Sequence, residues 1–255
     1  MKTEAFSKFF KISLAIFLIA LILVIAAAIS FNNYLGGIEK GVRDFTSTNS
    51  DDYWEYSIAR FNKAGDFHNG FRYLDKAVAL EPLKHLGYRG WIRLRKLRDY
   101  DKALLDFDRL DALTPNTVDA PWGEDINFLR GECYFGKKDH ARAIAAFNAG
   151  IEHLGRDWVD VHSFVYLGLC HLEMGNTTQA ISEFQYALEQ YPQTCEAHFG
   201  LARTYLSLGQ REKAEEHLAL AEENLIYKRD DHYNEFLNEI YWGDIAQLKK
   251  KLSVP

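Results

Sequence analysis

Apolar and small residues return along this chain with one long, fixed period. Gly168, His171, Gly175, Ala180, Phe184 and Ala187 recur 34 residues later as Ala202, Tyr205, Gly209, Ala214, Leu218 and Ala221. Strand signals are nearly absent, so the pattern predicts an all-α array of helix pairs. Gly65, Gly175 and Gly209 fall between the two helices of a pair, where a positive φ suits glycine. Pro82, Pro115 and Pro192 follow second helices, where a proline ends a helix without kinking one. Small residues such as Gly131, Gly168, Ala180, Ala187 and Ala202 let paired helices approach closely, and Tyr134, Phe147, Phe184 and Tyr205 fill the space between units. A period of this length implies stacked supersecondary units that display a long surface, which favours binding over catalysis.

The spacing resembles the tetratricopeptide repeat, a 34-residue helix–turn–helix unit. Residues 161–194 carry it best, through Phe164, Leu167, Gly168, His171, Gly175, Ala180, Phe184, Ala187 and Pro192. Residues 195–228 follow, with Ile226 where the family has proline. Residues 124–157 keep Gly131, Tyr134, Ala143, Phe147 and Gly150, but Asn127 and Arg130 stand at large apolar positions. Residues 84–117 keep Tyr100, Ala103, Phe107 and Pro115, with Trp91 in the slot for a small residue, and the weakest copy is 51–84. The resemblance implies about five helical hairpins forming a solenoid over residues 51–228.

Two longer steps interrupt the period, at Thr117–Gly123 and at Gly155–Trp158. Each carries a tryptophan, Trp122 or Trp158, which either folds back over the longer turn or forms a hot spot for a partner.

The ends change the picture. Residues 1–11 form a basic tail, and 12–31 hold an apolar run, Ile12 to Phe31, without charge. Twenty helical residues span roughly 30 Å, the hydrocarbon thickness of a bilayer. The run predicts a transmembrane helix or signal anchor, with a cleaved secretory signal as the alternative. Lys2, Lys8 and Lys11 place the N-terminus in the cytoplasm and the repeats outside it, in the periplasm of a bacterial cell. Residues 32–50 read as a linker. Residues 229–255 read as a helical cap, since Tyr233, Phe236, Leu237, Ile240, Tyr241, Ile245 and Leu248 share helical spacing.

Charge and motifs narrow the function. The net charge of −6 and the absence of a basic stripe exclude nucleic acid as a partner. The arginine and lysine cluster at Arg89–Arg98 reads as a solvated helix end, and Asp101, Asp106, Asp108 and Asp111 as a solvated face. No catalytic motif, phosphate loop or paired-cysteine metal spacing occurs, so no enzyme activity, cofactor, metal or small-molecule substrate is expected. Cys133, Cys170 and Cys195 are expected to be free thiols.

The concave stripe of the first helices is the expected binding surface. It comprises Tyr88, Ile92 and Arg95; Phe128, Glu132 and Phe135; Val165, Leu169 and Leu172; and Phe199, Arg203 and Leu206. The Lys and Asn pair by which chaperone-binding members of the family clamp a carboxylate is missing. The apolar stripe suits a protein or peptide segment, although the C-terminal helix could curl back and fill it. The expected function is a membrane-anchored scaffold or adaptor, by architecture similar to proteins of envelope secretion or assembly. The alternatives are a sequestering module such as an immunity protein and an enzyme with an unrecognised site.

Overall fold

The computed structural model describes residues 19–30, 47–229 and 236–253. All regular structure among them is helical. The chain divides after Leu80 into two compact units.

In the first unit, residues 19–30 form helix α1, exposed on every side. The basic tail, residues 12–18 and 31 of the apolar run, and most of the linker lie outside the described residues. Among the described residues, no helix is long and apolar enough to cross a membrane. Helix α2 (Ser50–Ala59) starts at an Asn49 cap that accepts from the Asp51 amide at 3.1 Å. Its partner α3 (Phe67–Leu80) brings Gly70 against Phe61. An ideal Cβ there would lie 2.4 Å from the ring, so only glycine allows the approach.

The second unit holds four hairpins: α4 (Pro82–Ile92) with α5 (Tyr100–Leu113), α6 (Ile126–Gly136) with α7 (His140–Leu154), α8 (His162–Glu173) with α9 (Thr177–Gln190), and α10 (Cys195–Ser207) with α11 (Arg211–Glu223). Each packs on the next, and α12 (Trp242–Leu252) covers α11 with Ile245, Leu248 and Leu252. A terminal repeat needs such a cover for its last apolar face. One continuous core runs from Phe128 through Phe147, Phe164 and Phe184 to Leu218 and Leu252.

Within the expected cap over 229–255, the helix among the described residues is α12. Residues 230–235 lie outside the described residues, Phe236–Glu239 form a turn, and α12 begins only at Trp242. There Asp244 reaches back to accept from the Tyr241 amide at 2.9 Å, which starts the helix at that point.

The five intra-hairpin turns sit at one repeat position and all adopt positive φ: Gly65, Arg98, Lys138, Gly175 and Gly209. Two of them lack glycine. The first two hairpins also carry an extra residue before that turn. Gly90 to Arg98 is eight steps, whereas Gly131 to Lys138 and Gly168 to Gly175 are seven. A wide i→i+5 turn absorbs it, with the Arg98 amide donating to the Arg93 carbonyl and the Gly65 amide to that of Arg60.

Candidate functional site

That inserted residue shifts the frame of α4 by one. The small-residue slot is held by Gly90, whose ideal Cβ would lie 2.6 Å from Phe107, as Gly131 faces Phe147 at 2.5 Å and Gly168 faces Phe184 at 2.6 Å. Trp91 therefore leaves that slot and joins the stripe, while Ile92 turns into the core. Counting by 34 could not show this, because a wide turn has no strong composition signature.

The first-helix face departs from an open apolar stripe. Tyr88, Ile92, Arg95, Phe128, Glu132, Val165 and Phe199 are buried, and Phe135, Leu169, Leu172, Arg203 and Leu206 are half-buried. Leu172 and Leu206 pack along the core, whereas Phe135, Leu169, Phe199 and Arg203 line one cleft of about 210 Å³. Its other wall is the C-terminal segment Leu237–Ile240 with Asp244. The segment that the sequence left free to fill the stripe lies against α6, α8 and α10.

Beside this cleft is a buried charge cluster. Arg95 is 3% exposed and meets Glu132 Oε2 at 2.6 Å and Glu124 Oε1 at 2.6 Å. Tyr166 donates to Glu132 Oε1 at 2.8 Å, and the Trp91 indole donates to Glu124 Oε2 at 2.7 Å. Burial alone would push the guanidinium towards its neutral form, but Glu132 and Glu124 more than offset it and hold the pKa up. Burial also pushes the Tyr166 phenol upward, reinforced by the carboxylate beside it, so it stays a donor.

A second arginine closes the cluster. Arg229 contacts Asp160 at 3.2 Å and Glu124 at 3.6 Å, while its backbone amide donates to Glu196 Oε1 at 3.0 Å. The Phe236 ring meets both guanidiniums, with its centre 4.7 Å from that of Arg95 and 3.8 Å from that of Arg229. The Asn238 side-chain amide lies 2.8 Å from His162 Nδ1. Burial lowers the pKa of that imidazole, with Asp160 and Glu196 opposing, and a neutral ring can accept the amide proton.

Of the charges read as solvated, Arg95 and Asp106 are instead buried and paired, while Asp101 and Asp108 stay exposed. Asp106 is buried between Arg89 at 2.6 Å and Arg93 at 2.5 Å. Arg130, at a usually apolar repeat position, reaches Asp108 at 2.9 Å and Asp111 at 3.2 Å. Sequence reasoning missed Trp91, Glu124, Glu196, Arg229, Phe236 and Asn238. The available signal was Arg95 itself, since a cation on a packed face needs carboxylates.

The two loop tryptophans differ. Trp122 folds back onto Tyr88 and Trp91, with ring centres 5.0 and 5.8 Å away. Trp158 stands 84% exposed between α7 and α8. Cys133, Cys170 and Cys195 are buried free thiols whose pKa values burial pushes up, that of Cys170 to about 12, so none is poised as a thiolate. Cys195 donates to Glu196, and His198 pairs with His217 at 3.1 Å.

Comparison with known proteins agrees with this geometry. Family models described as tetratricopeptide repeat match residues 124–152 and 171–224. The curated Protein CTR9 homolog of Arabidopsis thaliana is 33% identical over 92 residues, which are 34% of this chain and 8% of that protein. The chain thus spans under a tenth of that relative's length. Among solved structures, MamA residues 41–end from Desulfovibrio magneticus RS-1 matches with a TM-score of 0.59 at 20% identity, covering 71% of this chain and 97% of that one. PilW, described as a widely conserved type IV pilus biogenesis factor, gives 0.60 at 18% identity over 80% and 84%. YrrB, described as a TPR protein with an unusual peptide-binding site, gives 0.55 at 19% over 84% and 97%. At these identities the likeness is one of fold. The described residues are all helical, and those after Leu80 stack as a solenoid of tetratricopeptide-like repeats, a fold that supports a protein–protein interaction scaffold.

Proposed function

We propose that the chain is a non-enzymatic, membrane-anchored adaptor that binds a segment of another protein on the first-helix face of α6, α8 and α10. One observation carries this reading: that face already holds a piece of non-repeat chain, with an open cleft of about 210 Å³ beside it. Phe135, Leu169 and Phe199 supply apolar contact there, and the Arg203–Glu173 pair at 2.7 Å supplies a polar rim. The peptide-binding site named for YrrB and the type IV pilus biogenesis role named for PilW are consistent with this use of the fold. The apolar run 12–31 would hold the complex at a membrane, with the repeats on the extracytoplasmic side.

A photocrosslinker placed at Leu169 tests the reading in native membranes. It should capture one partner that a crosslinker at Leu105, exposed on α5, does not capture. Phe135→Asp should abolish capture from Leu169 without loss of helicity. Equal capture from both positions, or none from Leu169, would remove the binding face. Phe128 and Phe199 are unsuitable for such substitutions because both are buried. Deleting residues 1–31 should release a soluble repeat domain, and continued membrane association would reject the anchor.

A further inference from the structure

Resting on that assignment of the binding face, the geometry points to a competing ligand. It is a partner segment that presents an aromatic ring, an adjacent aliphatic side chain and a side-chain amide, and that takes the place of the Phe236–Glu239 turn.

The slot that holds Phe236 is built by residues outside the turn. Arg95 is tied to Glu124 and Glu132, and Arg229 to Asp160, Glu124 and, through its amide, Glu196. Both guanidiniums therefore stay in place when the ring leaves. Their charges are already balanced by carboxylates, so the slot favours the face of a π system over an anion.

The turn packs Leu237 against the core but makes few polar ties to the repeat helices. The Phe236 amide donates to Glu239 Oε1 at 2.8 Å, and Lys228 reaches Glu239 Oε2 at 3.4 Å. Among the described residues of the turn, the side-chain hydrogen bond to a repeat helix is that of Asn238 with His162. Asn238 Oδ1 is buried with no partner, a deficit that a better-matched segment can relieve. Meanwhile α12 is held on α11 independently, by Ile245, Leu248 and Leu252 and by Lys249 against Glu222 at 2.5 Å. The turn can therefore leave without uncovering the last repeat. It behaves as a stand-in for the ligand at high local concentration.

The test uses the full chain in detergent and a labelled peptide copying residues 228–244. Phe236→Ala should bind this peptide one-to-one and at least ten-fold tighter than the wild type. The same peptide with its phenylalanine replaced by alanine should bind neither protein. Asn238→Ala should give a smaller gain, and carries the comparison if Phe236→Ala loses its helical circular dichroism. Equal affinity for wild type and folded variants, no binding to any of them, or binding of the altered peptide would overturn the proposal. Association of wild-type with Phe236→Ala chains would assign the slot to a second copy and overturn the partner assignment. A partner crosslinked at Leu169 despite any of these failures would keep the binding face and reject only the competition.

Discussion

Replacing Glu132 by glutamine changes little volume but removes a charge from the centre of the repeats. The Arg95 side chain is fully buried, with separate nitrogens 2.6 Å from Glu132 and 2.6 Å from Glu124. For charge centres about 4 Å apart at an effective dielectric of about 20, each attraction is worth about 4 kcal/mol before desolvation. Glu124 is partly exposed and its contribution is screened, whereas Glu132 is wholly enclosed. Glutamine retains an acceptor for Tyr166, so the loss falls on Arg95. Removing one partner of a buried pair costs about 3–5 kcal/mol, and the surviving Glu124 contact places Glu132→Gln near the lower end, about 3 kcal/mol. Urea unfolding of the full chain in detergent, followed by circular dichroism, should show a lower midpoint with an unchanged slope. The paired replacement Arg95→Met with Glu132→Gln should be less damaging than Glu132→Gln alone, because it removes the stranded charge and keeps the acceptor for Tyr166. A single-variant loss under about 1 kcal/mol, or a double variant worse than the single, would refute the buried-pair account.

Lys138 is exposed at φ 60°, so Lys138→Gly should relieve strain and raise stability by about 1 kcal/mol in the same assay. Gly168→Ala would place a Cβ 2.6 Å from the buried Phe184 ring, and about 1–3 kcal/mol should be lost through overpacking. Burial lowers the pKa values of His198 and His217 below their ordinary 6.5, so the fold prefers both neutral. Their contribution is full above pH about 6.5 and is lost as pH falls through the lowered folded values. The urea midpoint should therefore fall between pH 7.5 and 5.5, and fall less in His217→Gln.

The repeats were legible because their signal is local. Glycine and alanine at fixed steps, a positive-φ turn and a trailing proline all act within one hairpin, and Phe147 and Phe184 meet the glycines that this spacing pairs with them. The binding face was legible only in part. Phe135, Leu169, Phe199 and Arg203 converge on one cleft, yet Ile92, Val165, Phe128, Glu132 and Arg95 are buried. The wide turn at Arg93–Leu97 moved α4 by one residue, and a shift of that size carries a side chain about 100° around a helix.

By itself, the sequence determined the helix pairs, their period and the turn positions, since each depends on residues a few steps apart. Only the tertiary structure decided what those helices face. Arg95 finds Glu124 and Glu132 at 29 and 37 positions' distance in the chain, and Asn238 finds His162 across 76. Such partners are set by how hairpins stack and where the C-terminal turn folds back. A charged residue in the sequence carries no mark of whether water or another side chain will neutralise it.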